Sequence, residues 1–152
     1  MDAISMLKQD HRDVKALFRE FQGLGDRAES SRQKLFKAID EALTLHTKIE
    51  ERLLYPAVKE RARADSDERL SVLESYEEHA VVKTLLKEIE KIDPSDETYR
   101  AKVKVVIDCV EHHVEEEEEK GGLFDIAREL LGQEALEAMA EQIEAMKEKA
   151  AV

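Results

Sequence analysis

Apolar residues recur along this chain at steps of three and four. One row reads Ile4, Leu7, His11, Val14, Phe18, Phe21, and a second Ile39, Leu43, His46, Glu50, then Leu53 or Leu54. A third reads Val72, Tyr76, His79, Val82, Leu86, Ile89, and a fourth Val103, Val106, Val110, His113, Glu117. Such steps keep each row on one face of an α-helix. They predict long helices over about residues 4–21, 31–61, 68–91 and 97–119. A short segment over 123–131 and a last helix over 133–149, with Leu136, Met139, Ala140, Ile143 and Met146 at helical spacing, follow.

The breaks are few: Gly23-Leu24-Gly25-Asp26, the charged run from Arg61 to Asp67, Asp93-Pro94-Ser95-Asp96, Gly121-Gly122 and Gly132. Asp or Ser at the third break can cap the helix that follows. Pro56 falls inside the second run, where it predicts a kink or a local interruption. Long helices joined by short loops pack antiparallel around a shared core. The expected fold is therefore all-α: an antiparallel up-and-down four-helix bundle with an additional C-terminal helix. One domain spans 1–152, with the bundle over about 4–120 and a helical extension over about 123–150 that lies across the bundle or along one end.

Composition supports helices and narrows the partners. Charged residues make up 39% of the chain, with five Gly, two Pro and no Trp. A net charge of -12 argues against nucleic acid and against anionic membranes, because phosphate binding needs a Lys/Arg footprint. Cys109 is the single cysteine, so neither an internal disulfide nor a cysteine-rich metal site is available, and packing among Val105, Val106, Ile107 and Val110 is its expected role. The N-terminus does not read as a signal peptide, and no stretch approaches the ~20 apolar residues of a membrane span. The expected location is cytoplasmic.

The candidate chemistry interrupts the stripes. Each of the four long rows carries a histidine; His112 is the remaining one. Glu50 follows His46 by four residues and Glu117 follows His113 by four, so each pair differs by roughly 40° around its helix. A lone histidine on an apolar face is ordinarily a satisfied core residue, and a glutamate four residues on is common in so acidic a chain. Four helices agreeing is not. Buried carboxylates cost several kcal/mol unless compensated, and coordination of a metal compensates them directly. Imidazole suits zinc, copper, iron and nickel; bridging carboxylates suit paired ions such as iron or manganese. Neither Glu-x-x-His nor His-Glu-x-x-His occurs, and there is no nucleophile motif or glycine-rich phosphate loop.

The segments Asp10-His11 with Val14-Lys15, His46 to Glu51 running into Leu54-Tyr55-Pro56, Tyr76-Glu77-Glu78-His79, and His112-His113 to Glu117 resemble the hemerythrin-like, or HHE cation-binding, family over about residues 5–131. The resemblance implies an up-and-down bundle around two iron ions with an oxo or hydroxo bridge. It implies His11, His46, His79 and His113 as ligands, with Glu50 and Glu117 bridging. The chain departs from oxygen-carrying hemerythrins in lacking a second histidine one turn from His79, where Lys83 and Ser75 stand. Tyr55, Tyr76, His112 or water could substitute. Tyr55 is the better candidate, because the disruption at Pro56 could turn it inward. His112 lies about 140° from Glu117 and is expected to flank the site. Gly121-Gly122-Leu123-Phe124-Asp125 replaces the tighter turn ending in Phe-Pro of many relatives.

Four histidines and two bridging glutamates fill about eight of twelve positions on two six-coordinate irons, leaving room for a small ligand. The expected function is binding or reduction of O2, H2O2 or NO, with catalase- or peroxidase-like turnover. Tyr55, Glu51 and His112 are the candidate proton shuttles. The alternative is a non-catalytic O2, NO or iron sensor, or an iron-binding protein. Either role allows a separate electron donor or signalling partner.

Overall fold

In a computed structural model, which describes residues 1–25 and 28–152, the chain is all-α. Asp26, in the first predicted break, lies outside the described residues. Helices α1 (Ala3–Gln22), α2 (Glu29–Ile49), α3 (Tyr55–Arg61), α4 (Asp67–Glu90) and α5 (Tyr99–Glu118) build an antiparallel up-and-down bundle, in which α2 and α3 form one long rod. Helices α6 (Leu123–Leu131) and α7 (Gln133–Ala151) make up the extension.

The helix ends follow from local side chains. The Asp2 carboxylate accepts from the Ser5 N–H at 2.8 Å and starts α1; the Ser66 hydroxyl accepts from the Arg69 N–H at 3.2 Å and starts α4. Helix α5 starts at Tyr99, two residues later than the pattern predicts. Asp93 and Asp96 accept from the N–H groups of Ser95 and Thr98, each at 2.8 Å, and tie those residues into turns.

Pro56 interrupts its helix without ending it. Between α2 and α3 lies a π-helical turn, Glu50–Leu54, closed by the Tyr55 N–H bonding the Glu50 carbonyl five residues back. In a regular α-helix the proline ring would collide with the Arg52 carbonyl and leave it without a donor. The widened turn accommodates both problems, and the helix resumes. It also offsets the register, so Tyr55 comes to lie beneath Glu50.

The interior divides into two apolar clusters. Ala3, Ile4, Leu7, Ile49, Leu54, Val72 and Phe124 belong to one; Val14, Phe18, Ile39, Leu43, Val82, Leu86, Val103, Val106 and Val110 belong to the other. The inward histidines lie where the stripes pass from one cluster to the other. Leu136, Met139, Ala140 and Ile143 of α7 join the first cluster, and α7 runs along α1, α2 and the π turn. Full burial of Leu136 and Ile143 is worth about 1.5–3 kcal/mol each. Arg128 donates to the Asp2 carboxylate at 2.8 Å and Gln133 at 3.2 Å, fastening the extension to the start of α1. No helix among the described residues is long and apolar enough to cross a membrane.

Candidate metal centre

Four helices deliver six side chains to one point. His46 Nε2 lies 3.1 Å from Glu50 Oε1, and His79 Nε2 lies 3.2 Å from the same oxygen. His11 Nε2 is 3.3 Å from Glu117 Oε1, and His113 Nε2 is 3.2 Å from Glu117 Oε2. Each glutamate therefore reaches both halves of the group. Glu50 and Glu117 are 0% and 1% exposed. The ligand-type atoms form two overlapping sets, each within 4.8 Å: His11, His46, Glu50 and Glu117, and then Glu50, His79 and His113.

The outer nitrogens of the four rings are all held by carboxylates. Asp10 Oδ2 lies 3.1 Å from His46 Nδ1, and Glu51 Oε2 lies 2.7 Å from His79 Nδ1. Glu78 Oε1 lies 2.6 Å from His113 Nδ1, and Glu118 Oε2 lies 2.5 Å from His11 Nδ1. An ionised carboxylate only accepts, so each Nδ1–H donates and each neutral ring presents a lone pair at Nε2. Those lone pairs face one another: His11 Nε2 and His46 Nε2 are 3.2 Å apart, as are His79 Nε2 and His113 Nε2. Two lone pairs at that distance need a cation between them, proton or metal. The carboxylates ask for the same thing, since Glu50 Oε2 and Glu117 Oε1 are buried without hydrogen-bond partners.

The sequence profile of the hemerythrin HHE cation binding domain matches residues 2–120. The chain belongs to this family. A DNA nickase from Nostoc sp. is 32% identical over 149 residues, covering 98% of this chain and 40% of that protein. The chain thus spans about two fifths of the length of that curated relative. The crystal structure of a hemerythrin HHE cation binding domain-containing protein from Mycobacterium kansasii superposes with a TM-score of 0.82 at 24% identity, covering 99% of this chain and 88% of that one. That likeness shows the fold. As a member of the HHE family the chain binds metal cations, and its His/Glu set fits one.

This hemerythrin-like domain brings together His11, His46, Glu50, His79, His113 and Glu117 in two overlapping groups. It adds Tyr55, which is 0% exposed. The phenol donates to Glu117 Oε2 at 2.7 Å and stands 3.1 Å from His79 Nε2, 3.2 Å from His113 Nε2 and 3.2 Å from Glu50 Oε1. Burial, then the charges of Glu117 and Glu50, hold that phenol well above its ordinary range. Burial works to lower His46, but Glu50 and Asp10 outweigh it and raise the ring to about 10. His113 is likewise raised to about 11, against burial, by Glu117 and Glu78.

Three candidates are placed elsewhere. His112 is 67% exposed and pairs with Glu116 at 2.9 Å, because one residue along a helix turns about 100° away from His113; it is no shuttle beside the centre. The Tyr76 hydroxyl donates to the Glu51 carbonyl at 3.4 Å, and its ring packs edge-on to Tyr55. Glu51 holds His79 from behind. Ser75, one turn before His79, is buried and donates to the Ser71 carbonyl at 3.0 Å, so it fills the missing histidine's position with a small side chain.

The carboxylates behind the rings are what sequence reasoning missed. Asp10 adjoins His11 yet holds His46; Glu51 adjoins Glu50 yet holds His79. Glu78 adjoins His79 yet holds His113, and Glu118 adjoins Glu117 yet holds His11. Each helix thus supports the next one's histidine, and the ring closes. The signal was an acidic residue beside one inward donor on every helix, since one step of 100° aims it at the neighbouring helix.

Proposed function

We propose that this domain is a non-haem di-iron protein that binds or reduces O2, H2O2 or NO, with catalase- or peroxidase-like turnover. One iron would be held by His11 and His46 and the other by His79 and His113, with Glu50 and Glu117 reaching both. An iron pair, when bound, would pass two electrons to one H2O2 and regain two from a second, which leaves as O2. The observation that carries this reading is the pair of facing Nε2 atoms at 3.2 Å on each side of two buried carboxylates.

The protein's own part is positioning and proton handling. The four outer carboxylates fix the ring tautomers. Tyr55 supplies an oxygen donor beside His79 and His113. A cation there would lower the phenol's proton affinity, and Glu117 Oε2, 2.7 Å away, is the nearest acceptor for the proton. The small residue at Ser75 and the cleft of about 190 Å³ that it lines with His113 and Glu117 favour turnover over reversible carriage. Cleavage of DNA is not extended to this chain from the Nostoc protein's name, because a net charge of -12 gives a phosphate backbone no footprint.

The test is metal analysis and an absorption spectrum of the expressed protein, followed by O2 release from H2O2. Two irons per chain, a tyrosine-to-iron charge-transfer band and O2 release above that of free iron are expected. Zinc in place of iron, or turnover no faster than free iron, would overturn the enzyme reading. A sensor reading has one observation in its favour: Lys147 of α7 bonds Asp10 at 2.6 Å, and Asp10 holds His46. Reversible ligand binding without turnover would select it.

A further inference from the structure

We propose that divalent cations reach the buried centre through the acidic cavity between α4, the end of α5 and the Gly121-Gly122 turn, after capture at the surface by Glu78, His112 and Glu116. This rests on the metal-centre reading above. The cavity measures about 190 Å³ and is lined by Ser71, Glu74, Ser75, Glu116 and Glu119, with His113 and Glu117 also in its wall. At roughly 30 Å³ per water it has room for a partly hydrated ion.

The outer site is made of the right atoms. Glu78, His112 and Glu116 each offer a ligand atom within 4.8 Å of the others, and His112 and Glu116 are 67% and 42% exposed. One imidazole and two carboxylates suit a borderline divalent ion such as Fe2+ or Mn2+. Glu116 belongs both to this cluster and to the cavity wall, so the two are continuous. Glu78 also bonds His113 Nδ1 at 2.6 Å, which leaves the capture cluster one side chain from the buried donors.

The inner end meets the buried donors, because His113 and Glu117 both stand in the cavity wall. Among the described residues, no Lys or Arg lines the cavity. The negative C-terminal end of the α5 dipole lies beside it, with Gly122 packed so tightly that a Cβ would sit 2.2 Å from the Glu116 carbonyl. A cleft of one sign concentrates counter-ions and raises their association rates by about 10–10³-fold. An anion would be turned away.

The test uses the full chain freed of metal, its helix content checked by circular dichroism, and Co2+ as the probe, since its visible bands report binding to nitrogen and oxygen donors. Stopped-flow loading of His112→Ala and Glu116→Gln should be slowed about tenfold, with the final Co2+ per chain unchanged. Glu41→Gln, an equal charge change on the exposed side of α2, should load as the parent does. In the iron-loaded protein, added Mn2+ should broaden the amide signals of residues 78, 112 and 116. Parent-like loading rates in both variants, or no broadening at those residues, would overturn the route while leaving the centre intact. A parent chain that binds no Co2+ at the buried donors would overturn route and centre together.

Discussion

Tyr55 stands among four of the six donors, and its hydroxyl is separable from its ring. Tyr55→Phe keeps the packing against Tyr76 and His79 and removes only the oxygen. The variant should keep its fold, lose the phenolate charge-transfer band and slow peroxide turnover by about 10²-fold or more, measured as O2 release. His46 and His113 make a second prediction. Raised to about 10 and about 11, both hold a proton at neutral pH in the metal-free protein. Metal must displace those protons, so loading should acidify an unbuffered solution, and apparent affinity should fall as pH falls. The convergence of His11, His46, Glu50, His79, His113 and Glu117 was legible because 3.6-residue periodicity puts all six on apolar faces. Tyr55 was legible only in part, since its direction depends on a wide turn that propensity does not encode. The exposure of His112 followed from helix geometry. The ring of outer carboxylates did not, because it requires knowing which helix neighbours which.

Among the elements, the turn after α5 is the most constrained. A Cβ at Gly122 would lie 2.2 Å from the Glu116 carbonyl and 2.9 Å from that of Glu119, both backbone atoms that cannot swing aside. Gly122→Ala should cost about 1–3 kcal/mol, read as a lower thermal midpoint, and should disturb the cavity beside Glu117. The link between α1 and the extension carries a pH dependence. Burial works to raise the Asp2 carboxyl, but hydrogen bonds from Arg128, the Ser5 N–H and Gln133 outweigh it and hold it well below 3.8. A carboxyl depressed in the folded state stabilises above its unfolded value and loses that contribution as pH falls below it. Acid titration below about pH 4 should therefore loosen α6 and α7, and Asp2→Asn should flatten that part of the curve, followed by circular dichroism. The interruption at Pro56 was predictable from sequence. Its form is one π turn inside a continuing rod, with Ile49, Leu54 and Tyr55 buried on either side of it.

Across the whole molecule, the four-helix bundle was readable because loops are short and stripes long, whereas the placing of α7 along α1 and α2 depended on which exposed stripe remained to be covered. The outer carboxylates should matter jointly: Glu51→Gln or Glu78→Gln should each weaken metal binding by about 10–100-fold, measured by competition with a chelator. The ring also has a consequence for electron affinity. Two shared and four outer carboxylates surround the donor cluster, but Asp10 is also paired with Lys147 at 2.6 Å and Glu51 with Lys83 at 2.8 Å. In a centre holding two irons, loss of those two positive charges would favour the ferric over the ferrous state. Lys83→Met and Lys147→Met should therefore lower the midpoint potential of the iron-loaded protein in a redox titration, so that two surface ammonium groups would set how readily bound iron gives up electrons.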